Sequence, residues 1–545
     1  YKQEFKALLT TLSDDRALAT VLAGARQLPD GAYTEEQWEV LEALTRLLPV
    51  AVAQLKLVFR ERGAIDFAEL GLAANQALGT ATDPSDLALA LDYRLNHLLV
   101  DEFQDTSIRQ YELLEQLTAG WEPGDGRTLF VVGDPMQSIY RFREAEVGLY
   151  LRARRNGLPN VTLEPLTLSV NFRSQAGVVD WVNAIFPEVF PEKEDAARGG
   201  VSYSPSHPHA PPLPDAAVQV HAILGNRPEK EAEQVVRAVE VAQTERPEGT
   251  MAILVRSRTH LPVILEALRE ADHRYQAVEI ERLAERPVIQ DLLALTRALV
   301  HPADRIAWLA VLRAPWCGVA LTDLTRLVGD DPRAVVWQRL DDDGAVAALS
   351  EAGRQRVLRL REVLSASLAE RGRRPLRRLV EGAWLAPGGP ATLDTESDLQ
   401  DAATYLQLLE ALEQGGDLAE LAPLAERIQQ LFAAPDTAAG AELQVMTIHK
   451  AKGLEFDTVI VPGLGRRPGF GREPLLRWLE VPRAEADRDD LLLAPIRERG
   501  EDNDPISQCL KQLDKERGEH EDGRLLYVAT TRAKHRLHLL GHCPV

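Results

Sequence analysis

Two short apolar runs, each followed at once by acidic residues, constrain the fold of this chain more than any other feature of its sequence. Leu98–Val100 runs into Asp101-Glu102, and Leu129–Val132 runs into Gly133-Asp134. Between them, Ile108–Leu117 has apolar residues at the three- and four-residue spacing of a helix. A strand, a helix and a second strand in this order form a parallel pair of strands. The segment therefore predicts a buried parallel sheet in an α/β domain.

Further strands are predicted in the second half of the chain, and helices between them restore the same alternation. The predicted strands are Val218–Leu224, Met251–Val255, Leu443–Ile448, Thr458–Pro462, Leu525–Val528 and Leu537–Leu540. From residue 289 to about 432 the strand signal fades and helical spacing dominates. The pattern indicates a second α/β domain that is interrupted by a helical insertion.

The charge balance argues against a protein that coats nucleic acid. The chain has 62 lysines and arginines against 83 acidic residues, a net charge of −21, so any nucleic-acid site must be a local groove. No run approaches the roughly 20 apolar residues that span a membrane. The first residues also lack an apolar signal core, so we expect a cytoplasmic protein that does not contact a membrane. The three cysteines have no spacing typical of a zinc site.

The first acidic pair has the chemistry that phosphoryl transfer requires. Asp101 and Glu102 follow a predicted strand, and the carboxyl ends of parallel strands open into the crevice where α/β sheets bind ligands. One carboxylate can hold Mg²⁺ while the next polarises an attacking water. The alternative is an acidic turn after a strand, which accounts for most isolated Asp-Glu pairs. The pair alone does not decide between the two.

The second acidic run continues into a longer motif, Gly133–Arg143. Gln137 could sense a γ-phosphate, while Tyr140 and Phe142 offer flat faces on which nucleic-acid bases stack. The alternative places Ile139, Tyr140 and Phe142 in the core beside a tight turn.

These two motifs resemble motifs II and III of the superfamily 1 helicases of the UvrD/RecB kind, and three more motifs follow in the family's order. Asn171–Ser174 resembles motif IV, Val445–Phe456 resembles motif V, and Leu525–Lys534 resembles motif VI. The resemblance covers about four fifths of the chain. The wording of motif III, the long helical insertion and the stretch Pro474–Arg477 resemble the RecB/AddA branch more than UvrD itself.

Residue chemistry and this resemblance together assign the candidate site residues. Those assigned to catalysis are Glu102 as general base, Gln137 as sensor, and Arg173 and Arg532 as arginine fingers. Those assigned to the cofactors are Asp101 for the metal, Phe172 for adenine and Glu455 for the ribose. Those assigned to DNA are Tyr140, Phe142, Arg143, Thr447 and His449. A local basic strip of Arg141, Arg143, Lys450 and Lys452 would follow the DNA, although a surface salt bridge is the common alternative for any arginine.

The resemblance implies an α/β fold with two RecA-like P-loop NTPase domains that carry helical insertions. The implied division is 1–90 (remainder of the first insertion), 91–166 (first RecA-like domain), 167–288 (start of the second), 289–436 (its helical insertion) and 437–545 (its end). The implied activity is an ATP-dependent DNA helicase that moves 3′ to 5′ in repair or recombination. It would use ATP and Mg²⁺, bind single-stranded and duplex DNA, and associate with a helicase-nuclease partner subunit.

The family's phosphate-binding loop, Gly-x-x-x-x-Gly-Lys-Ser/Thr, has no counterpart here, because the chain contains no Gly-Lys dipeptide. Three explanations stay open: a fragment that starts within the first helical insertion, a loop that lies outside the given residues, or a DNA-binding scaffold subunit that has lost ATPase activity. The joint presence of Asp101, Glu102, Gln137, Arg173, Glu455 and Arg532 weighs against the scaffold. A nuclease subunit whose catalytic part lies elsewhere is a further alternative.

Overall fold

The computed structural model describes most of the chain. Its described residues are 2–14, 32–80, 83–329, 333–418, 420–433, 442–466, 476–481, 490–494 and 504–543, so Pro474 of the motif named above lies outside them. They fall into two compact units, of which the first takes in Tyr1–Gln219, Lys452–Glu455 and Arg466–Leu537. The second takes in Val220–Ala451, Phe456–Gly465 and His538–Val545. Compactness does not define a RecA-like domain, so the domain bounds given above stay a prediction.

The first part of the chain is mainly helical and carries three two-stranded sheets. Its elements are α1 (Lys2–Asp14), α2 (Glu35–Arg62), α3 (Phe67–Leu78), β1 (Gly79–Thr80), β2 (Asp83–Pro84), α4 (Asp86–Asp92), β3 (His97–Val100), α5 (Ile108–Leu117), β4 (Thr128–Val131), α6 (Val147–Asn156), β5 (Val170–Gln175), α7 (Ala176–Val189) and β6 (His207–Ala210). Residues 187–214, before β7, are rich in proline and read from the sequence as a loop. They nevertheless contain β6, which pairs with β5 in parallel.

β3 and β4 are the two strands that carry the acidic runs. They pair in parallel, with His97 opposite Thr128 and Val100 opposite Val131, which confirms the predicted pairing. The prediction that these strands are buried is wrong, since their residues are partly or fully exposed. Leu99 is 76% exposed, because side chains alternate between the two faces of a strand and only one face packs on α5 and α6.

The middle of the chain holds the largest sheet and the helical part. Its elements are β7 (Val218–Leu224), α8 (Pro228–Glu245), β8 (Met251–Val255), α9 (Pro262–Glu270), β9 (Gln276–Ala277), α10 (Pro287–Val300), α11 (Arg305–Arg313), α12 (Leu321–Val328), α13 (Val336–Asp341), α14 (Asp343–Ala347), α15 (Glu351–Ala369), α16 (Leu376–Leu385), α17 (Glu396–Leu412), α18 (Ala422–Gln430), β10 (Leu443–Thr447), α19 (Ile448–Ala451) and β11 (Phe456–Leu464). Helices α10 to α18 share one core around Trp308 and Tyr405, as the helical spacing predicts.

The end of the chain returns to the first unit before it completes the large sheet. Its elements are β12 (Arg477–Val481), β13 (Asp490–Ala494), α20 (Pro505–Thr530) and β14 (Ala533–Cys543). The large sheet has the order β7-β14-β11-β8-β10-β9, and β8 is its fully buried inner strand. β8 runs parallel to both β11 and β10, and helices α8 and α9 supply apolar side chains to its core.

One predicted strand is wrong. Leu525–Val528 forms the last turns of the 26-residue helix α20. Leu525 and Val528 are buried, while Leu526 and Tyr527 pack against the cluster around Phe186. A helix that is covered on two sides has a short continuous apolar run like that of a buried strand, so spacing does not separate the two.

No described helix combines the length and the apolar character that a membrane crossing requires.

Candidate active site

The acidic pair lies where β3 ends. Asp101 is exposed and its Oδ1 accepts a hydrogen bond from the Glu102 amide at 2.8 Å. Glu102 has a φ of 52°, a left-handed conformation that is uncommon outside glycine and that often marks functional sites. The next residue, Phe103, is buried and its amide donates to the carbonyl of Val132 beyond β4. The two acids therefore stand at the shared carboxyl edge of β3 and β4.

Lys452 contacts this acidic edge. Its Nζ lies 3.0 Å from Glu102 Oε2 and also contacts Asp105 Oδ2. The Lys452 side chain is only 6% exposed, so it does not belong to a surface strip along DNA. Burial raises the pKa of Asp105, and the hydrogen bond and charge of Lys452 oppose that rise. The same Nζ lies 5.1 Å from the ring centroid of Tyr140, so one cation contacts both the acids and a predicted DNA-binding aromatic.

A second line of contacts runs from Asp134 to Arg532. Asp134 caps the short turn Pro135–Gln137, and its Oδ2 accepts from Gln137 Nε2 at 2.8 Å. Gln137 Oε1 in turn accepts from Arg532 Nη2 at 3.1 Å. Arg532 is 1% exposed and also donates to the carbonyl of Leu454 at 3.2 Å. Burial lowers the pKa of the Arg532 guanidinium to about 10, and the nearby charge of Arg173 adds to this effect.

Gln104 connects the contacts around Glu102 with those around Asp134. It is 1% exposed, its Nε2 donates to Glu102 Oε2 at 2.5 Å, and its Oε1 accepts from the Asp134 amide at 3.0 Å. The turn after β3 and the turn after β4 are thus held by one buried amide.

Arg173 and Glu455 form an ion pair beside Arg532. Arg173 Nε lies 3.0 Å from Glu455 Oε2, and Lys534 Nζ lies 2.7 Å from Glu455 Oε1. The hydrogen bond to Lys534, followed by that to Arg173, lowers the pKa of Glu455. Arg173 Nη1 also donates to the carbonyl of Thr531, so both candidate arginine fingers contact the segment that ends α20.

The aromatic residues assigned to ligands are accessible. Phe172 is 71% exposed and its ring centroid lies 4.8 Å from that of His209. Phe142 is 65% exposed and meets Tyr140 edge to face at 5.9 Å. The Arg143 guanidinium lies 5.5 Å from the Phe142 centroid. The interpretation of Phe142 as a core residue is therefore wrong, whereas Ile139 is fully buried.

Three predicted residues fall in the second unit: Thr447, His449 and, from the basic strip, Lys450. Thr447 ends β10 and His449 lies in α19, both partly exposed, and both belong to the second unit. The remaining assigned residues belong to the first unit. Within it, the contacts above join Glu102, Gln137, Arg173, Glu455, Arg532 and Tyr140.

The residues fit a nucleotide with Mg²⁺ in their donor chemistry. Mg²⁺ bound to a nucleotide uses one or two carboxylates besides phosphate oxygens, and the exposed carboxylate of Asp101 can supply one. Arg173 and Arg532 place two guanidinium groups in the same network, and guanidinium groups suit phosphate oxygens. The described residues contain no group of three or more histidine, cysteine or acidic side chains that would hold a metal by themselves.

Four residues of this network were not assigned from the sequence: Gln104, Asp105, Asp134 and Lys452 in its contact with acids. Gln104, Asp105 and Asp134 lie in the turns that follow a predicted strand, where polar residues after an apolar run are a usable signal. Lys452 follows α19 at a distance of about 350 residues from Glu102 along the chain. Its role depends on tertiary contacts that spacing does not reveal.

Comparison with known proteins agrees with these motifs. The family model "UvrD/REP helicase N-terminal domain" matches residues 23–157, and "UvrD-like helicase C-terminal domain" matches 166–338 and 399–542. Proteins named as subunits of an ATP-dependent helicase/nuclease are similar to the chain. That of Geobacillus thermodenitrificans is 26% identical over 93% of this chain and 45% of its own length. That of Exiguobacterium sibiricum is 26% identical over 99% of this chain and 48% of its own length.

The chain thus spans about half the length of the curated relatives that it matches. The C-terminal family model alone matches more than half of the chain. The predicted resemblance and the predicted α/β fold with RecA-like domains are confirmed. This chain belongs to the UvrD-like helicase family.

Proposed function

We propose that this chain is the motor of an ATP-dependent DNA helicase that moves 3′ to 5′ on one strand and unwinds duplex DNA in repair or recombination. The observation that carries the proposal is the convergence of five separate sequence motifs on one network. The 452–455 loop contacts both Glu102 and Arg173. Arg532 contacts Gln137 and the same loop. An acid, a polar sensor and several cations are the parts that phosphoryl transfer needs.

In this proposal Glu102 is the general base that polarises the attacking water. Negative charge develops on the phosphoryl oxygens in the transition state, and Arg173 and Arg532 neutralise it. Gln137 connects to Arg532 and so senses whether the γ-phosphate is present. Each of these groups is already held by a neighbour, which limits the reorganisation that the reaction requires.

ATP and Mg²⁺ are the proposed cofactors. Asp101 would hold Mg²⁺, which neutralises charge on phosphate oxygens when it is bound. Phe172 would stack on adenine, since its ring is exposed. Glu455 would accept a hydrogen bond from the ribose, since its lowered pKa keeps the carboxylate ionised at neutral pH.

We propose that the protein moves along single-stranded DNA and that duplex DNA is its substrate. Tyr140 and Phe142 would stack on bases, with Arg143 at the backbone, and Thr447 and His449 would follow the strand. A helicase-nuclease partner is proposed because the names of the relatives describe one component of an ATP-dependent helicase/nuclease. The cytoplasmic location stays a prediction.

The test is ATP hydrolysis by the purified chain with and without single-stranded DNA. In a version of the protein that carries the phosphate-binding loop, we expect hydrolysis that DNA stimulates, and its loss in Glu102→Gln, which keeps the shape of the side chain but not its charge. ATP binding by Glu102→Gln, followed with a fluorescent ATP analogue, should stay within about twofold of wild type, because that carboxylate acts on water.

Glu112→Gln is the matched control, because Glu112 is a partly exposed acid of α5 that pairs with Arg109. It should hydrolyse ATP as wild type does. Unchanged turnover in Glu102→Gln would refute the general-base role. No turnover in the wild type, with DNA binding retained, would mean that the chain is a truncated motor or a scaffold.

A further inference from the structure

Helix α20 and the residues just after it present a row of buried arginines. Arg517, Arg524 and Arg532 are 4%, 3% and 1% exposed. Arg517 and Arg524 are seven residues apart, which is close to two helical turns, so they lie on one face of the helix. Arginine is rarely buried, and three in one row demand a common explanation.

All three arginines reach the same short segment, 137–146. Arg532 donates to Gln137 Oε1 at 3.1 Å, Arg524 to the Ser138 carbonyl at 2.6 Å, and Arg517 to Glu146 Oε2 at 3.0 Å. The same helix contributes Asp514 and Glu521, which bind the guanidinium and the backbone amide of Arg141. Helix α20 and Arg532 just after it therefore hold five points of the segment that carries Tyr140 and Phe142.

Arg524 binds two backbone carbonyls, whereas the Arg517 guanidinium also pairs with the Glu146 carboxylate. Nε donates to Ser138 O and Nη1 to Gly199 O, both at 2.6 Å. Among the described residues, no carboxylate lies within ion-pair distance of its guanidinium. A buried charge without a directly bonded acid costs stability relative to an apolar side chain, and the charges of Glu521, Glu146 and Asp105 offset this cost only in part. Stability alone is therefore a weak explanation for this arginine. Burial accordingly lowers its pKa to about 10.

Ser138 is the residue on which this contact acts. It lies between Gln137, which contacts Arg532, and Ile139-Tyr140. Its hydroxyl donates to the Gln104 carbonyl at 2.9 Å, so the peptide is fixed from the acidic turn on one side and from α20 on the other. A shift of Ser138 would therefore move Gln137 and the aromatic pair Tyr140–Phe142 together.

We propose that Arg524 is a positioning residue that holds the Ser138 peptide and thereby couples the Gln137–Arg532 contact to the DNA-binding pair Tyr140–Phe142. The inference rests on the proposed function for the roles of Gln137 and Phe142. Arg524 itself is too buried to contact DNA. Any effect of Arg524 on DNA affinity must therefore pass through the segment that it holds.

The first measurement compares Arg524→Met and Arg524→Lys with wild type in binding a fluorescent oligothymidylate at fixed salt, by anisotropy. Met keeps the length without the donors, and Lys keeps the charge but cannot hold two carbonyls. We expect Arg524→Met to bind about tenfold more weakly, the scale of one lost base stack, and Arg524→Lys to lie in between. Arg198→Met is the matched control, because Arg198 pairs with Glu516 of the same helix but is half exposed, and its ion pairs among the described residues are with Asp195 and Glu516 rather than with segment 137–146.

The second measurement is a double-mutant cycle with Phe142→Ala. If Arg524 acts through the aromatic pair, Arg524→Met should weaken binding in the wild type and leave the affinity of Phe142→Ala nearly unchanged. Additive losses, or wild-type affinity in Arg524→Met, would overturn the proposal. So would unfolding of both Arg524 variants in thermal melts, which would make the residue purely structural.

The outcomes separate this inference from the proposed function. Suppose that the wild type does not hydrolyse ATP but that the losses of DNA affinity in Arg524→Met and Phe142→Ala are not additive. The motor assignment would then be removed, and the positioning role of Arg524 would be kept. Wild-type affinity in Phe142→Ala would remove the DNA assignment of that residue and overturn the inference with it.

Discussion

At the scale of single residues, groups that can only donate or only accept fix the polarity of the site. The Asp134 carboxylate only accepts and the Arg532 guanidinium only donates. Gln137 lies between them, so it must direct Nε2 to Asp134 and Oε1 to Arg532, as observed. A γ-phosphate that drew Arg532 away would leave Gln137 with an unpaired oxygen. This explains how a neutral amide can report on a charged ligand.

Gly133 packs so closely against Gln104 that no larger side chain fits at this position. A Cβ at this position would collide with Gln104 Oε1 and would lie 3.2 Å from the Gln104 backbone nitrogen. We expect Gly133→Ala to lower the free energy of unfolding by about 1–3 kcal/mol, the usual cost of overpacking. It should also reduce ATP turnover, because Gln104 holds Glu102 and Asp134. Urea unfolding and steady-state ATPase assays check both effects.

Gly382→Ala is the control for that substitution. Gly382 lies in α16 and a Cβ there would meet no atom within 4 Å. Alanine is the better helix former, so this variant should gain about 0.5–1 kcal/mol. A Gly133→Ala protein as stable and active as wild type would show that Gln104 is free to move.

Lys452 should contribute strongly to stability, because its contact with Asp105 is largely buried. The exposed side-chain fractions of the pair are 6% and 16%. Lys452→Met removes one partner and should lower the free energy of unfolding by about 3–5 kcal/mol. Asp105→Asn in that background should restore part of the loss, since it removes the uncompensated charge. Chemical denaturation of the four proteins gives the result.

Lys450→Met is the neighbouring control. Lys450 pairs with Glu279, and both side chains are about 40% exposed, so its loss should cost about 0–1 kcal/mol. Equal effects of the two substitutions would refute a special role for Lys452.

At the scale of elements, the turn Pro135–Gln137 depends on Asp134. Its two oxygens take different donors: Oδ1 accepts from the Met136 amide and Oδ2 from Gln137. Asn keeps one acceptor, so Asp134→Asn should release Gln137. We expect a fall in ATP turnover of about tenfold, which corresponds to roughly 1.4 kcal/mol, the scale of one lost hydrogen bond to a charged group. KM for ATP should change little, and steady-state kinetics separate the two.

The stability of the Asp134→Asn protein gives an independent check through pH. Burial raises the pKa of Asp134 above its ordinary value of 3.8, so the folded state binds the proton more readily than the unfolded state. Wild-type stability relative to the variant must then be highest in acid and fall as pH rises through the raised pKa. A difference that grew with pH would contradict this assignment.

Sequence patterns predict some elements of this fold and miss others for physical reasons. The pattern predicts β8 with the bounds Met251–Val255 that it has, and all five of its side chains are buried. The strand predicted at Leu525–Val528 is wrong because a helix covered on two sides gives the same run. For the site, the acids and arginines carry motif signals, whereas Lys452 and Arg524 depend on contacts with residues hundreds of positions away.

At the scale of the whole molecule, the net charge of −21 sets the kind of DNA binding that is possible. Of the predicted basic strip, Lys452 is buried against acids, Arg141 pairs with Asp514, and Lys450 pairs with Glu279. Arg143 is exposed beside Phe142, and no carboxylate of the described residues pairs with it. Of the predicted strip, few cations therefore remain for phosphates, so we expect stacking to supply much of the affinity.

This balance predicts a weak dependence of DNA affinity on salt. Each phosphate contact on a single strand contributes a slope of about −0.7 to log affinity against log salt, so one or two contacts give a slope of about −1. Screening of the repulsion between the acidic protein and DNA flattens the slope further. Anisotropy titrations of an oligothymidylate across a range of potassium chloride concentrations measure it. Arg143→Gln should bring the slope closer to zero, whereas Arg155→Gln, an exposed arginine of α6 with the same change in net charge, should not. A slope steeper than about −4 would mean six or more phosphate contacts, and would require a basic surface that these residues do not provide.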